Sequence, residues 1–178
     1  MPQTSTATTR RTEIEKRVTK MPSLQFDELR SILLQLRERK LPFHPLILVF
    51  STGIVSNSEC VPMARDPRPE TGQEFSSEII QVIAKAISTN PSIHDGAIIF
   101  TREQKAARYF LSAWSMRIVS NFSPQETEPN RGSAFNSAVS LSAEPNIDLC
   151  CIFSEKDLFV FAGGQRLAAV DWAMDRNF

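Results

Sequence analysis

A His-Asp-Gly triplet stands at the head of an apolar run in residues 91–100, PSIHDGAIIF. His94 carries an imidazole and Asp95 a carboxylate, and both groups form hydrogen bonds to polar ligands. Gly96 and Ala97 follow directly. The pattern indicates a strand end that presents polar groups to a ligand. The alternative is a turn that is merely polar, since Asp and Gly are also common turn residues.

The composition of the chain limits the classes of protein to which it can belong. The chain has 178 residues, enough for one domain, and 42% of them are hydrophobic, enough for a substantial core. Twenty basic and twenty acidic residues cancel, so the charge gives no electrostatic case for nonspecific nucleic-acid binding. We therefore expect no direct DNA binding. We expect a flexible N-terminal arm over residues 1–20 and a single domain over 21–178.

The three cysteines indicate in which cellular compartment the protein is expected. Cys60, Cys150 and Cys151 are too few and too poorly spaced for a disulfide framework or a zinc site, and the adjacent pair predicts small buried side chains. The longest apolar run, LILVF at 46–50, is far shorter than the roughly 20 residues of a membrane span. These features predict a cytoplasmic protein without a membrane-spanning segment.

The elements that must position the triplet follow from periodicity. Apolar residues at helical spacing predict helices over 23–40 and 74–88. Short apolar runs predict strands over 46–50 and 93–100, and a polar stretch rich in Pro and Gly predicts a long loop over 51–73.

The second half of the chain has one ambiguous segment. Residues 101–113 fit a helix by propensity, and they also fit a hairpin with a returning strand. A polar loop is expected over 122–131, then a helix starting at Gly132 or Ser133. Three short strands follow, in DLCCIF, LFVFA and QRLAAVDW. The alternation of elements predicts an α/β fold with a mixed central β-sheet flanked by helices.

Three landmarks in order resemble the diadenylate cyclase domain over roughly residues 45–165. They are the strand IHDGAIIF, the segment RGSAFNSAVSLSAE about thirty residues later, and the Ser-Glu turn between CCIF and LFVFA. The family carries a His-Asp-Gly-Ala strand, a Gly-Thr-Arg-His-Arg segment opening a helix, and a Ser-Glu turn. The resemblance implies a diadenylate-cyclase-like fold.

The resemblance also implies a nucleotide pocket. The family's aspartate contacts the ribose and the metal-assisted reacting centre, which maps to Asp95, and its histidine, which maps to His94, helps hold the metal. Mg²⁺ or Mn²⁺ is then the implied cofactor, because such a cation helps a carboxylate activate a ribose hydroxyl for attack on phosphate. Gly96 would let the nucleotide approach the backbone. Ser154 and Glu155 match the Ser-Glu turn.

The phosphate-binding segment departs from the family pattern. Gly132 and Ser133 retain its start, but Ala134-Phe135-Asn136 stand where the family has Arg-His-Arg. Two guanidinium groups that would clamp the triphosphate are thus replaced. Arg131, Arg102 and Lys156 are weak substitutes.

The remaining groups still suit binding without turnover. Backbone N–H groups at a helix start can hold one phosphate, Phe135 can stack on a base, and Asn136 can pair with a base edge. Phe135 fits core packing equally well, and Glu155 fits a solvated turn. His44 has no identifiable partner and is interpreted as structural.

We therefore predict a catalytically inactive sensor domain for a nucleotide, a cyclic dinucleotide or a cyclic oligonucleotide. The pocket is predicted to comprise His94, Asp95, Gly96, Ala97, Gly132, Ser133, Phe135, Asn136 and Glu155. An output through a separate effector protein is expected, and a homo-oligomer is possible in this family, which brings two domains face to face. The alternatives are an active nucleotidyltransferase with a divergent phosphate site and a structural dimerisation module.

Overall fold

The computed structural model describes residues 23–39, 45–120 and 132–168. These ranges contain three α-helices, α1 (Ser23–Glu38), α2 (Ile79–Thr89) and α3 (Ser133–Ser142). They also contain seven strands: β1 (Leu46–Thr52), β2 (Cys60–Pro62), β3 (Ala97–Arg102), β4 (Phe110–Ile118), β5 (Ile147–Phe153), β6 (Leu158–Ala162) and β7 (Gln165–Arg166). A 3₁₀ turn, Pro91–His94, precedes β3.

All seven strands form one sheet in the order β2-β4-β3-β1-β5-β6-β7. The central pair, β1 and β3, runs parallel, and every other neighbouring pair is antiparallel. A parallel pair needs a crossover connection, and α2 lies within the one that joins β1 to β3. The predicted α/β fold with a mixed central sheet is confirmed.

Each face of the sheet packs on its own core. Successive side chains of a strand point to opposite faces, so on β1 Leu48 and Phe50 join one core while Ile47 and Val49 join the other. Helices α1 and α2 cover the first face, and α3 covers the second. Cys150 and Cys151 divide between the two cores in the same way, which confirms their predicted burial.

The predicted helices are present, but one starts later than expected. α1 matches the segment predicted over 23–40, and its Leu29, Leu33 and Leu36 are buried. The helix predicted over 74–88 begins only at Ile79. The backbone N–H of Phe75 instead donates to the carbonyl of Tyr109 at 2.8 Å. This pairing with the chain entering β4 excludes a helical start at residue 74.

The segment at 101–113 is a hairpin, not a helix. Strand β4 returns antiparallel to β3, and it extends to Ile118. Burial of Leu111 and Trp114 in the α1–α2 core stabilises this strand more than helix propensity favours a helix.

The long loop predicted over 51–73 is wrong in two respects. β1 continues to Thr52, and Cys60–Pro62 forms the edge strand β2, which pairs with β4. The end of the segment also runs along β4, since the Gly72 N–H donates to the Leu111 carbonyl at 2.7 Å. The Trp114 indole donates to the Glu70 carbonyl at 2.9 Å.

The helix predicted after residue 131 is α3, with Gly132 at its N-cap. Of the three strands predicted next, β5 and β6 match, while β7 is confined to two residues of QRLAAVDW within the described range. The predicted arm over 1–20, His44, the loop over 122–131, and Arg131 lie outside the described residues.

Candidate functional site

His94 and Asp95 lie just before β3 and not within it, so the strand predicted over 93–100 starts too early. Pro91 opens a 3₁₀ turn, and the Asn90 side chain caps it by accepting from the Ser92 N–H at 3.1 Å. Asp95 ends the turn, and β3 begins at Ala97. The triplet is therefore a polar turn at the start of a strand, and its role in binding a ligand stays a prediction.

Asp95 is the exposed carboxylate of this site, and an arginine contacts it. The Asp95 side chain is 60% exposed, and its Oδ2 lies 3.4 Å from Nη2 of Arg65. Arg65 follows β2 and is thirty residues from Asp95 in sequence. Nothing in the local pattern around Arg65 indicated this pairing, so sequence reasoning missed the residue.

The imidazole of His94 is oriented by its own turn. Its Nδ1 donates to the carbonyl of Pro91, because a carbonyl can only accept. The neutral ring then carries its lone pair on Nε2, which lies 3.5 Å from Oδ1 of Asp95. Among the described residues, no group of three or more His, Cys, Asp or Glu side chains is arranged to hold a metal ion. The expected Mg²⁺ or Mn²⁺ stays a prediction.

Ser115, on β4, ties Arg65 to Asp95. Its Oγ accepts from Nε of Arg65 at 2.8 Å and donates to the backbone carbonyl of Asp95 at 2.5 Å. Ser115 is fully buried and has a φ of +54°, an uncommon conformation for a residue other than glycine. A strained residue held in place by neighbouring bonds is a frequent feature of functional sites.

Gly96 has a packing role in addition to the binding role that the resemblance implies. Its φ is +81°, and a Cβ there would lie 2.6 Å from Cε of Met63 and 2.7 Å from the carbonyl oxygen of Met116. The space beside Gly96 is therefore filled by the protein itself. The glycine permits close packing between the turn and β4, and the expected approach of a nucleotide to Gly96 stays a prediction. Ala97 is fully buried.

The other predicted pocket residues lie toward the same end of the sheet as Asp95. Leu46, at the start of β1, pairs with Phe153 at the end of β5, so the turn carrying exposed Glu155 is at this end. At the opposite end, Ser142 accepts a hydrogen bond from the Gly164 N–H at 3.2 Å. Because α3 ends there, Gly132 and Ser133 at its start point toward the end with Asp95.

The start of α3 is mostly exposed, but Ala134 is partly buried and Phe135 is buried. Gly132, Ser133 and Asn136 are exposed. Phe135 is only 8% exposed, and its ring packs edge-on against Phe159 and Phe161 at 5.8 and 4.9 Å between centroids. Phe135 therefore packs in the core, which was one of its two expected roles. Its other expected role, stacking on a base, remains a prediction.

A buried ionic network occupies the opposite end of the sheet. Oδ2 of Asp148 accepts from the hydroxyls of Thr52 at 2.6 Å and Tyr109 at 2.8 Å, and lies 3.1 Å from Nη2 of Arg102. Nη2 is close enough for an ion pair but is not aligned to donate a hydrogen bond. Arg102 is 3% exposed and lies at the far end of β3 from Asp95, which excludes it as a substitute phosphate clamp.

Thiol chemistry is not indicated at either end. Cys60, Cys150 and Cys151 are buried, and burial raises the pKa of each thiol, to about 12 for Cys60, where Glu59 adds to the effect. Because the thiolate is the reactive form, these cysteines are inert structural residues.

Comparison with known proteins places the fold. No family model matches the chain, and no curated protein matches it in sequence. Among solved structures, it is similar to DacA from Staphylococcus aureus, solved as a double mutant, with a TM-score of 0.50 and 16% identity over 88% of this chain and 87% of that one. It is also similar to a hypothetical membrane spanning protein from Bacillus cereus, with a TM-score of 0.51 and 17% identity over 79% of this chain.

The chain spans 60% of the length of the Bacillus cereus protein. Within the part of the chain that the structure describes, each helix is too short or too polar to cross a membrane. At this level of identity the likeness concerns the fold alone. The architecture expected from the Asp-Gly-Ala strand, the α3 segment and the Ser-Glu turn is confirmed, and the chain has a diadenylate-cyclase-like fold.

Proposed function

We propose that the protein is a catalytically inactive sensor domain that binds a nucleotide or a cyclic nucleotide. The observation that supports this most is the content of the first turn of α3. Ala134-Phe135-Asn136 replace the Arg-His-Arg of the resembling family there, and Phe135 is committed to packing against Phe159 and Phe161. The fold has kept the Asp95 turn and lost the triphosphate clamp.

The missing guanidinium groups argue against turnover. Removal of one preorganised hydrogen-bond donor that stabilises a transition state costs about 2.7–4 kcal/mol, or a factor of roughly 10²–10³ in rate. Loss of two such groups leaves no effective cyclase. Lys156 is exposed in the β5–β6 turn, and a flexible exposed ammonium does not replace a bidentate guanidinium.

The groups that remain suit ground-state binding. The exposed start of α3 offers backbone N–H groups to one phosphate, and the exposed Asn136 side chain can pair with a base edge. Asp95 and Glu155 supply acceptors for ribose hydroxyls. We further propose that a separate effector protein reads the bound state, and the three buried free cysteines fit a reducing cytoplasm.

Thermal unfolding with a ligand panel tests the proposal. The panel contains ATP, cyclic dinucleotides including cyclic di-AMP, and cyclic oligonucleotides, each with MnCl₂ and with EDTA. A ligand at a hundred times its Kd stabilises the native state by about 2.7 kcal/mol. We expect one class of nucleotide to raise the Tm, and Asp95→Ala and Asn136→Ala to abolish the rise.

Matched controls are available outside the predicted pocket residues. Glu103→Ala removes an exposed carboxylate just after the far end of β3, Asn57→Ala removes an exposed amide in the β1–β2 loop, and both should leave the rise in Tm intact. The ATP samples are also assayed for released pyrophosphate, which we expect to be absent. Turnover of ATP would instead establish an active nucleotidyltransferase. A Tm that no panel member changes would contradict the sensor and favour the dimerisation module.

A further inference from the structure

The contact between Arg65 and Asp95 changes the expected chemistry of the site. A carboxylate that holds Mg²⁺ or Mn²⁺ must have an oxygen open to the cation. Here Oδ2 of Asp95 faces Nη2 of Arg65 at 3.4 Å, and Oδ1 faces Nε2 of His94 at 3.5 Å. The carboxylate is already balanced by one positive charge, and a divalent cation would meet the guanidinium.

Arg65 is anchored at its base and weakly held at its tip. Its Nε donates to the buried Ser115 hydroxyl at 2.8 Å, a short bond to a rigid partner. Its terminal nitrogens make longer contacts, 3.1 Å to the Ala64 carbonyl, 3.4 Å to Asp95 and 3.7 Å to the Met63 sulfur. Long contacts from a partly exposed tip are easily exchanged for stronger ones.

The segment that carries Arg65 is itself fixed over the Asp95 turn. The Met63 N–H donates to the Ser115 carbonyl at 3.1 Å, and the Met63 side chain fills the space beside Gly96. Farther along, the Asn90 amide donates to the Pro67 carbonyl at 3.0 Å. Arg65 is therefore positioned by bonds on both sides of it and is not a mobile surface residue.

A guanidinium fixed in this way has the features of a phosphate-binding group. It is permanently charged, it is planar, and it can present two N–H groups to two phosphate oxygens. We propose that Arg65 takes the place of a divalent cation at Asp95 and binds a phosphate of the ligand without metal. The inference rests on the proposed nucleotide site and names the group that recognises its phosphate.

The first experiment uses MnCl₂ alone, with bound Mn²⁺ measured by electron paramagnetic resonance. We expect no bound Mn²⁺ in the native protein and bound Mn²⁺ in Arg65→Gln, where the Asp95 carboxylate is released from the guanidinium. The gain should disappear in Arg65→Gln combined with Asp95→Asn. Mn²⁺ that binds the native protein and is lost in Asp95→Asn would overturn the inference, as would the absence of a gain in folded Arg65→Gln.

The second experiment uses inorganic pyrophosphate in the presence of EDTA, measured by titration calorimetry. We expect the native protein to bind it, Arg65→Gln to bind at least tenfold more weakly, and Arg65→Lys to be intermediate because it keeps the charge without the fork. Arg68→Gln is the matched control, since Arg68 is an exposed arginine in the same loop that donates to the Met63 carbonyl. Equal affinity in Arg65→Gln and Arg68→Gln would overturn the inference.

Neither experiment depends on the identity of the nucleotide. Failure of the whole nucleotide panel together with a positive result for Mn²⁺ and pyrophosphate would reject the sensor and retain Arg65 as an anion site. Circular dichroism of each variant establishes that it is folded before binding is measured. If Arg65→Gln does not fold, the pyrophosphate affinities of Arg65→Lys and the native protein are compared instead. Equal affinity of the two, together with a requirement of MnCl₂ for binding, would reject the proposal.

Discussion

Tyr109 is the one tyrosine of the chain, so its ionisation can be followed without interference from another phenol. Its hydroxyl donates to Asp148 at 2.8 Å, and its ring lies 4.5 Å from the guanidinium carbon of Arg102. Burial raises the pKa of Tyr109 above the ordinary value, the Asp148 carboxylate raises it further, and Arg102 partly opposes both. The folded protein therefore holds this proton more tightly than the unfolded chain does.

The sign of the pH dependence follows from this difference. Below about pH 10, the pKa of tyrosine in an unfolded chain, both states are protonated and the stabilisation is fully present. Above about pH 10 the unfolded chain loses the proton first, so stability falls as the pH rises toward the folded pKa. We expect the ultraviolet absorbance of tyrosinate to appear only together with loss of the circular dichroism signal.

A titration that formed tyrosinate while the circular dichroism stayed native would contradict this expectation. Tyr109→Phe is the control, because it has no phenol and keeps the ring over Arg102. Its stability in urea should fall less steeply above about pH 10 than that of the native protein. The buried thiols add to the alkaline slope in both proteins, so the difference between them isolates Tyr109.

At the scale of single residues, the sequence indicated one half of the site and not the other. His94 and Asp95 stand out because they adjoin each other at the head of an apolar run, which is a local signal. Arg65 carries no such signal. It lies in a loop thirty residues from Asp95, and the pairing arises only because β2 and β4 are adjacent in the sheet. The role of Ser115 is also not indicated by the sequence, because its side chain is positioned by a positive φ that the sequence pattern does not predict.

The junction between the 3₁₀ turn and β3 depends on Gly96, and a substitution there tests its packing. In Gly96→Ala the new methyl group would meet the Met116 carbonyl oxygen, which is backbone and cannot move aside. A positive φ costs a non-glycine residue about 1–2 kcal/mol. Overpacking typically adds about 1–3 kcal/mol. We expect both costs to appear in the free energy of unfolding measured in urea.

Gly72→Ala provides the matched control for this substitution. Gly72 has a φ of +100°, similar to the +81° of Gly96, but no atom lies within 4 Å of the position of its Cβ. Gly72→Ala should therefore lose only the part of the stability that is due to the positive φ. A Gly96→Ala variant that is no less stable than Gly72→Ala would show that the structure has room for a methyl group beside Gly96.

At the scale of helices and strands, the periodicity of apolar residues predicts that an element is present better than it predicts where the element begins and ends. LILVF, DLCCIF and LFVFA are strands because each is apolar and buried on both faces of the sheet. The start of α2 was misplaced by five residues because Phe75, although apolar at helical spacing, pairs by its backbone with the chain entering β4. Residues 101–113 were undecided from sequence, because helix propensity and tertiary burial favour different structures there.

At the scale of the whole molecule, one carboxylate joins four segments of the sheet. Asp148 of β5 contacts Thr52 of β1, Arg102 of β3 and Tyr109 just before β4. Arg102 also donates to the Lys105 carbonyl at 2.8 Å, which closes the β3–β4 turn. None of these residues adjoins another in sequence, so the network follows from the topology and was not predicted.

Removing one partner of this network should destabilise the entire sheet. Asp148→Asn leaves the Arg102 guanidinium buried without its countercharge, and breaking a buried ion pair in this way costs about 3–5 kcal/mol. Arg102→Met should be similarly costly, because it leaves the Asp148 carboxylate facing only two hydroxyls. Because the contacts span β1, β3 and β5, we expect unfolding in urea to remain a single transition at lower denaturant.

Replacing both Asp148 and Arg102 distinguishes the contribution of the ion pair from the contribution of burying these two side chains. The double variant Asp148→Leu with Arg102→Met removes both charges and keeps apolar volume, and such replacements are often near neutral. We expect it to lose less stability than the sum of Asp148→Leu and Arg102→Met measured singly, with a coupling of about 0.5–3 kcal/mol. The exposed pair of Arg108 and Glu74 is the control, and Arg108→Met should cost far less than Arg102→Met. Strict additivity at Arg102 and Asp148 would mean that the sheet is held at this end by its backbone and apolar contacts alone.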